Sequence, residues 1–234
     1  MFGKNKIYSV KDFENEDKLA IQNIFYTIQG EGIFSGRPAV FIRCNFCSLS
    51  CFYCDTDFES NVQKLSTNDI YTKVKELAPS HCNLVVLTGG EPLLQPLIGS
   101  LIKQLTENNF IVQIETSGSV FSDNIDLDNP DLFIVCSPKT GKIHEKLVPY
   151  IDAYKYVISS SNYDEVDGLP SHISFGNFKQ RVARPEQQKP IIYLSPMDEY
   201  DEEKNQTNLK LCAKLCMEFG YTLSLQIHKL VGVE

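Results

Sequence analysis

Short runs of apolar residues, rich in Val and Ile, recur along this chain at intervals that leave room for a helix between them. Several runs are continuous rather than alternating, which is typical of strands that are covered on both faces. Strands that alternate with helices indicate parallel βαβ units. The strand candidates are residues 40–43, 84–88, 110–115, 132–136, 154–158, 191–194 and 223–227.

Helical patterns lie between some of these runs. Ser66 or Thr67 can cap a helix that reaches about Leu77. Apolar residues recur at i, i+3, i+4 and i+7 from Leu209 and stop before Gly220, a residue type that commonly ends helices. Seven strands are too few for a complete eight-unit barrel. We therefore predict an α/β fold, a partial barrel of about six or seven mostly parallel strands with helices outside.

The length of the chain favours one domain. With 234 residues and no internal repeat or convincing linker, residues 1–234 are expected to fold as a single unit. Two polar segments, 159–170 and 197–207, are expected to be loops or short irregular helices.

Composition restricts the partners. The chain has 22 Lys and Arg against 30 Asp and Glu, and the resulting net charge of −8 argues against direct binding of nucleic acid, which needs clustered cations. No apolar run approaches the roughly 18 residues that would span a bilayer. The N-terminal segment is polar and unlike a signal peptide. We expect a cytoplasmic protein that binds neither membrane nor nucleic acid.

Four of the eight cysteines lie within eleven residues, which in a reducing compartment indicates a metal site rather than disulfides. Cys47, Cys51 and Cys54 form a C-x3-C-x2-C run on a predicted cluster loop, residues 44–58. Three thiolates on one loop can bind three irons of a [4Fe–4S] cluster. The fourth iron is then open, and S-adenosylmethionine can chelate it through its amino and carboxylate groups. That geometry holds the sulfonium beside an electron source for reductive cleavage to a 5′-deoxyadenosyl radical.

Cys44 leaves two other interpretations open. With Cys44 included, the run reads C-x2-C-x3-C-x2-C and could bind zinc or saturate an electron-transfer cluster. Zinc ribbons usually separate their two pairs by about 15–20 residues, and three residues leave little room. A ferredoxin would hardly need the rest of this chain. A small buried residue at a strand end explains Cys44 better, and the remaining four cysteines fit core positions.

Further motifs accompany the cysteine run. They are Tyr26-Thr-Ile-Gln-Gly-Glu-Gly32, Thr88-Gly-Gly-Glu-Pro92, Glu115-Thr-Ser-Gly118, Ser137-Pro-Lys139, Ser195-Pro-Met-Asp198 and Gln226-Ile-His-Lys229. With these motifs the chain resembles the radical S-adenosylmethionine enzymes and, within them, the 7-carboxy-7-deazaguanine synthase family, from about Ile24 to Glu234. The cysteine run marks the superfamily, whereas the Gln-Gly-Glu-Gly segment and the His-Lys pair mark the family.

The resemblance implies a carbon–nitrogen lyase. Its reaction would be the radical ring contraction of 6-carboxy-5,6,7,8-tetrahydropterin to 7-carboxy-7-deazaguanine with release of ammonia, in queuosine-type 7-deazapurine biosynthesis. The implied cofactors are a [4Fe–4S] cluster, S-adenosylmethionine and Mg²⁺, and the implied partners are an electron donor such as flavodoxin or ferredoxin and a second copy in a homodimer. Two alternatives stay open, a glycyl-radical enzyme activase and a non-catalytic iron–sulfur or zinc module.

The resemblance also implies residues for the S-adenosylmethionine pocket. Gly90 would support the methionyl part, at a turn where the absence of side chains lets backbone approach a ligand. Tyr53 would pack against the adenine. Two segments that follow strand candidates, where barrel enzymes build their sites, would complete the pocket. They contribute Ser137, Pro138, Lys139, Ser195, Pro196, Met197 and Asp198.

For the substrate, the resemblance implies that Arg43 pairs bidentately with the carboxylate of the pterin. The terminal carboxylate at Glu234 would accept two hydrogen bonds from its guanidine-like edge. Thr56 would supply a hard oxygen to Mg²⁺. Glu115, at a strand end, and His228, on the face of the last strand candidate opposite its apolar residues, are the catalytic candidates. The remaining expected substrate contacts are Ile28, Gln29, Gly30 and Thr88.

Overall fold

The computed structural model describes residues 5–175 and 178–233. Its strands are β1 Leu19–Ile28, β2 Pro38–Cys44, β3 Gln63–Leu65, β4 Leu84–Gly89, β5 Ile111–Thr116, β6 Leu132–Cys136, β7 Ala153–Ile158, β8 His172–Phe175, β9 Phe178–Arg181, β10 Ile192–Pro196 and β11 Thr222–Leu223. Its α-helices are α1 Thr67–Leu77, α2 Ile98–Thr106, α3 Glu202–Phe219 and α4 Ile227–Val231. Single 3-10 turns occupy Val10–Phe13, Gly32–Phe34, Pro92–Leu94 and Val148–Tyr150.

Nine of the described strands form one open sheet in the order β11-β10-β7-β6-β5-β4-β2-β1-β3. The seven neighbours from β11 to β2 run parallel, whereas β1 pairs antiparallel with both β2 and β3. Strands β8 and β9 form a separate antiparallel hairpin. The predicted α/β fold, a partial barrel of mostly parallel strands, is confirmed.

The strand predicted at residues 223–227 is wrong over most of its length. Strand β11 comprises only Thr222 and Leu223, which pair with β10. The backbone N–H of Ser224 still donates to the carbonyl of Leu194 at 2.8 Å, but the chain then turns, and α4 begins at Ile227. His228 therefore lies on a helix, and the strand-face argument for its role does not hold.

Four further elements were not predicted: strand β1, strand β3, helix α2 and the β8–β9 hairpin. In β1, polar residues interrupt the apolar run, and the pairing with β2 shifts register between Ile21 and Asn23. The segment expected to be irregular over 197–207 gives way to α3 at Glu202. The side chain of Asp201 caps this helix by accepting a hydrogen bond from Lys204 N at 3.1 Å.

One face of the parallel sheet is packed by helices. Val85 and Leu87 of β4 are fully buried there, in one cluster with Ile70 of α1, Leu101 of α2 and Leu215 of α3. Alternate residues on a strand share a face, so the same positions of neighbouring strands extend this cluster. Each fully buried Val or Leu contributes about 1.5–3 kcal/mol, which makes this layer the main source of stability.

On the opposite face of the sheet, the side chains change from apolar to polar toward the carboxyl end of the strands. Leu84 and Val86 of β4 lie in a small second apolar cluster, whereas Thr88, the next residue on that face, lines a cavity. On β2 the face likewise passes from Phe41 to the cationic Arg43. The carboxyl ends of the parallel strands thus gather polar side chains, as in barrel enzymes.

Both predicted boundaries of α1 hold, and so does the predicted end of α3, which begins at Glu202 instead of near Leu209. Ser66 caps α1 by accepting a hydrogen bond from Asp69 N at 3.2 Å, and the chain leaves α3 at Gly220 with a φ of 74°. Within the described residues no helix is long and apolar enough to cross a membrane.

Candidate active site

A cavity of about 300 Å³ opens at the carboxyl ends of the parallel strands. Its walls come from strand ends, from the cluster loop and from α4 with the residue before it. The cavity brings together most of the residues proposed from the sequence. They are Arg43, Cys47, Cys51, Tyr53, Cys54, Thr56, Thr88, Gly90, Glu115, Ser137, Lys139, Ser195, Pro196, Asp198 and His228.

Five proposed residues lie behind this lining, and one falls outside the described residues. The side chain of Gln29 is buried and donates to Glu115 Oε1 at 3.3 Å, so it contacts a cavity residue rather than the cavity. Gly30 packs directly against His228, because a Cβ atom on Gly30 would overlap the imidazole Nδ1. Ile28, Pro138 and Met197 are the other three. Glu234 lies outside the described residues.

Within the cluster loop, Cys44 lies in a different environment from the other three cysteines. Cys44 is completely buried at the end of β2, whereas Cys47, Cys51 and Cys54 line the cavity. Burial raises the pKa of Cys51 to about 11, although the nearby Lys139 opposes this rise. Burial also raises the pKa of Cys47 and Cys54. The three thiols therefore need a bound cation to hold them as thiolates.

These residues fit an iron–sulfur cluster with one open iron. Three free cysteines from one loop line a common cavity, and thiolate is the ligand such clusters require. Cys44, the first cysteine of the run, is buried behind the lining. Across the described ranges, no group of three or more His, Cys, Asp or Glu side chains lies close enough together to hold a single metal ion.

Asn45 closes the base of the cluster loop. Its buried side-chain amide donates to the carbonyls of Phe58 at 2.9 Å and Ser60 at 3.0 Å, so it joins the two ends of the loop. Gln95 Nε2 in turn donates to the carbonyl of Asn45 at 2.9 Å. This brace fixes the two ends of the loop relative to each other. Sequence reasoning missed it, because an Asn between cysteines carries no distinctive signal.

Glu91 is a buried carboxylate that connects the loop after β5 with the cluster loop. It is 1% exposed and accepts hydrogen bonds from Thr116 Oγ1 at 2.7 Å and from the N–H and hydroxyl of Ser117 at 2.9 and 2.6 Å. The Ser117 hydroxyl lies 2.8 Å from Ser119 Oγ, which lies 3.0 Å from Ser48 Oγ in the cluster loop. Burial raises the pKa of Glu91 against these hydrogen bonds. Its role is therefore to position the loops.

Lys155 of β7 forms a buried ion cluster with two carboxylates. Its Nζ lies 2.6 Å from Glu31 Oε2 and 3.2 Å from Glu115 Oε2, and the three side chains are only 12, 16 and 11% exposed. Gln113 Nε2 donates to Glu115 Oε1 at 2.5 Å, and Ser195 Oγ donates to Glu31 Oε1 at 3.5 Å. All three charged residues line the cavity.

Lys139 lies in the same cavity. Its Nζ donates to the carbonyl of Ser137 at 3.1 Å and to the Ser137 hydroxyl, and it lies 5.9 Å from the centre of the Tyr53 ring. Burial lowers the pKa of Lys139. On the facing segment, Asp198 is held by Asn205 Nδ2 at 2.8 Å. These contacts give the proposed cofactor residues fixed positions.

Asp55 links the cluster loop to α4. Lys229 Nζ lies 2.8 Å from Asp55 Oδ2, to which Gln226 Nε2 also donates at 3.2 Å. Although burial raises the pKa of Asp55, these two partners lower it to about 2. Thr56 Oγ1 donates to the other oxygen of the same carboxylate at 3.2 Å. The segment Gln226–Lys229 thus reaches the proposed magnesium ligand through Asp55.

Two functional features escaped the sequence analysis, and a signal was present for only one of them. Lys155 is a lone charge inside a strand of otherwise apolar and aromatic residues, and buried charges need partners. That partner requirement predicts carboxylates on the same face. Asp55 and Lys229 are 174 residues apart, so no local pattern could pair them.

A model of the radical SAM superfamily matches residues 41–130. Over its whole length the chain is 40% identical to the 7-carboxy-7-deazaguanine synthase of Rhodospirillum rubrum, all of which it covers. It is 41% identical to the synthase of the same name from Rickettsia prowazekii, of which it covers 96%. The crystal structure of QueE from Escherichia coli has the same fold, with a TM-score of 0.64 at 22% identity, and the match covers 94% of this chain and 98% of that one.

The fold, the cysteine loop and the superfamily match together define a radical S-adenosylmethionine enzyme. At 40% identity over its full length, the chain belongs to the 7-carboxy-7-deazaguanine synthase family. The predicted family, the predicted enzyme class and its iron–sulfur and S-adenosylmethionine cofactors are confirmed. The zinc-module and glycyl-radical-activase alternatives have no counterpart among these relatives.

Proposed function

We propose that this chain converts 6-carboxy-5,6,7,8-tetrahydropterin to 7-carboxy-7-deazaguanine by a radical ring contraction that releases ammonia, in queuosine-type 7-deazapurine biosynthesis. The relatives at 40% and 41% identity are named for this product. The chain covers 100% and 96% of those relatives, so the proposal extends to the complete reaction.

The charges of the cavity support such a substrate. Arg43 and Thr88 are paired neighbours on β2 and β4, and both line the cavity. The Arg43 guanidinium can receive a carboxylate through two parallel hydrogen bonds. Glu31 and Glu115 line the same cavity and can accept hydrogen bonds from ring N–H groups. A compact ligand with one carboxylate and several N–H groups, such as the carboxypterin, therefore finds both kinds of partner in one cavity.

For the cofactors, we assign Cys47, Cys51 and Cys54 to the cluster and place S-adenosylmethionine beside it. When bound, the two supply the radical that begins the reaction. Tyr53 offers a ring face, and Gly90 offers backbone. The polar side chains of this pocket are those of Ser137, Lys139, Ser195 and Asp198, with Pro138, Pro196 and Met197 shaping the turns that carry them.

Thr56 is the proposed ligand of Mg²⁺. Its hydroxyl faces the Asp55 carboxylate at 3.2 Å and lines the cavity with it, so a hard oxygen is present beside a negative charge.

Glu115 and His228 are the proposed groups for proton transfer. Glu115 is fixed by Lys155 and Gln113, and burial raises the pKa of Glu115 although Lys155 opposes the rise. Burial lowers the pKa of His228, which favours the neutral imidazole, able both to accept and to donate a proton.

The remaining assignments concern domain organisation, oligomeric state, electron donor and cellular location. We propose a single domain over residues 1–234, a homodimer and a flavodoxin or ferredoxin as electron donor. We also propose a cytoplasmic location.

Anaerobic turnover tests the proposal. Protein reconstituted with iron and sulfide and then reduced is supplied with S-adenosylmethionine, Mg²⁺ and 6-carboxytetrahydropterin. Mass spectrometry follows 7-carboxy-7-deazaguanine and 5′-deoxyadenosine. We expect deazaguanine in many-fold excess over enzyme, and omission of Mg²⁺ should lower its rate.

Two results would contradict the proposal. If only 5′-deoxyadenosine accumulated, the radical chemistry would hold and the substrate would be wrong. If neither product formed although iron and sulfide analysis showed an intact cluster, the enzymatic assignment itself would fail. A Cys51→Ala variant, which should lack the cluster, sets the background of both products.

A further inference from the structure

In the buried ion cluster of Glu31, Lys155 and Glu115, each carboxylate has a hydrogen-bond donor in addition to Lys155. Lys155 donates to both carboxylates, at 2.6 and 3.2 Å, and bridges a loop after β1 to the end of β5 from its own strand β7. The second oxygen of each carboxylate has a different donor, Ser195 for Glu31 and Gln113 for Glu115. The two carboxylates are thus held in separate, defined orientations.

We propose that Lys155 is a positioning residue of the pterin site, whose ammonium keeps Glu31 and Glu115 ionised and apart so that both remain hydrogen-bond acceptors for the N–H groups of the substrate. This role rests on the proposed function. Without the ammonium, two nearly buried carboxylates would repel each other uncompensated, which favours protonation of Glu115. A protonated carboxyl is a poorer acceptor for ring N–H groups, so substrate binding would suffer first.

The position of the Glu31–Lys155–Glu115 ion cluster favours a role of Lys155 in substrate binding over a purely structural role. All three side chains line the cavity, so the arrangement faces the ligand instead of lying inside the core. With both carboxylates ionised, the cluster carries a net charge of −1. That charge complements an N–H-rich ring and leaves the carboxylate of the ligand to the cationic Arg43.

Other charged groups also act on these three residues. Burial and Glu31 raise the pKa of Glu115, whereas Lys155 lowers it. The groups that face the cluster electrostatically from neighbouring elements are Lys139, Asp55 and His228. Loss of Lys155 should therefore raise the pKa of Glu115 further, toward neutral pH.

Steady-state kinetics of holoenzyme variants test the proposal. In Lys155→Met, KM for 6-carboxytetrahydropterin should rise about tenfold or more, the scale expected when a charged hydrogen-bond partner is lost. The acidic limb of kcat/KM should move to higher pH. Lys155→Arg, which keeps the charge, should restore most of the wild-type KM. The matched control is Lys146→Met, which breaks the exposed pair of Lys146 with Asp123 and should change neither value.

A second measurement does not depend on turnover. Protein labelled with ¹³C at the glutamate carboxyl carbons is titrated by NMR, and the signal of Glu115 is identified by Glu115→Gln. In wild-type protein this signal should stay at its ionised position through neutral pH. In Lys155→Met it should titrate within that range.

A charge-matched pair covers the case in which Lys155→Met does not fold. The double variant Glu31→Gln with Lys155→Met keeps the cluster at the wild-type net charge of −1, whereas Glu31→Gln alone brings it to zero. If Lys155 served charge balance alone, the double variant would match wild type in KM. We expect instead a KM several-fold above that of Glu31→Gln, because Glu115 has lost its ammonium partner.

Three outcomes decide the matter. The proposal would be overturned if Lys155→Met had a KM within twofold of wild type and an unshifted acidic limb of kcat/KM. It would also be overturned if wild type and the charge-matched double variant had equal KM values. Failure of wild-type protein to make deazaguanine would overturn the proposed function instead, and the carboxyl titration would then decide whether Lys155 keeps the glutamates ionised.

Discussion

A Cβ atom on Gly90 would overlap the carbonyl oxygen of Phe46, the residue that precedes the first cavity cysteine. That carbonyl accepts a hydrogen bond from Glu91 N at 2.9 Å, and Gly90 N donates to the carbonyl of Cys44 at 3.0 Å. Phe46 itself has a φ of 70°, a conformation uncommon for residues other than glycine. The end of β4 is therefore docked, backbone on backbone, against the entry to the cluster loop.

Gly90→Ala should disturb this docking. We expect a loss of about 1–3 kcal/mol or more in unfolding free energy, because the added methyl group meets rigid backbone. The iron content after reconstitution should fall with it, since Cys47 directly follows the displaced segment. Gly220→Ala is the control: its φ of 74° makes alanine cost stability there too, but it lies at the end of α3 with nothing within 4 Å. If both variants retained full iron content, the docking would not matter for the cluster.

Cys44 and Cys51 should respond differently to replacement by alanine. Cys51 lines the cavity, whereas Cys44 is completely buried, and burial raises the pKa of Cys44 to about 12. Cys44→Ala should keep its iron, sulfide and visible absorption after reconstitution, with only a modest loss of thermal stability. Cys51→Ala should lose the cluster. Loss of iron in Cys44→Ala at normal thermal stability would show that a fourth cysteine takes part.

The parallel core of the fold was accessible from sequence because its strands are continuous apolar runs. Strand β6 was predicted with the observed bounds, 132–136. Strand β1 was missed because Gln22 and Asn23 interrupt its apolar run and its register shifts at that point. The last strand was overextended because apolar residues from Leu223 to Ile227 resemble a strand, while the actual pairing with β10 lasts two residues.

Site residues could be predicted from sequence where they belong to a motif, but not where only tertiary contacts bring them into the site. Glycines 89 and 90 illustrate the limit: their pattern predicted backbone close to a ligand, and the structure adds that both are required for packing against residues 44–47. Lys155 has no motif, and its importance emerges only when β7 is placed two strands from Glu115. Gln29 lies in a motif, yet its amide is already used by Glu115 and by the N–H of Glu31.

The link between Asp55 and Lys229 predicts a local effect. Their side chains are 37 and 44% exposed, and such pairs contribute only about 0.2–1 kcal/mol to stability. Lys229→Met should therefore leave the melting temperature nearly unchanged. It should nevertheless speed hydrogen exchange in α4 and raise KM for the pterin, because one of the two side-chain hydrogen bonds from this segment to Asp55 is lost. High salt should reproduce part of this change in wild-type protein.

Lys103→Met is the matched control for that experiment, since it breaks an exposed pair of Lys103 with Glu107 on α2, far from the cluster loop in sequence. It should change neither exchange in α4 nor KM. Unaltered exchange of residues 227–231 in Lys229→Met would mean that the contact with Asp55 does not restrain the helix.

The half-buried His228 predicts a pH dependence of stability with a definite sign. Burial lowers the pKa of His228 in the folded chain, whereas in the unfolded chain it lies at about 6.5. As the pH falls through 6.5, the unfolded chain takes up a proton that the folded chain does not, so the free energy of unfolding decreases toward acid. Above that pH the contribution is fully present. His228→Gln removes the titrating group, and its melting temperature should fall less steeply than that of wild type between pH 7.5 and about 5.5. Parallel curves for the two proteins would show that the imidazole takes up its proton equally well in the folded state, and its assignment as a neutral proton-transfer group would then be wrong.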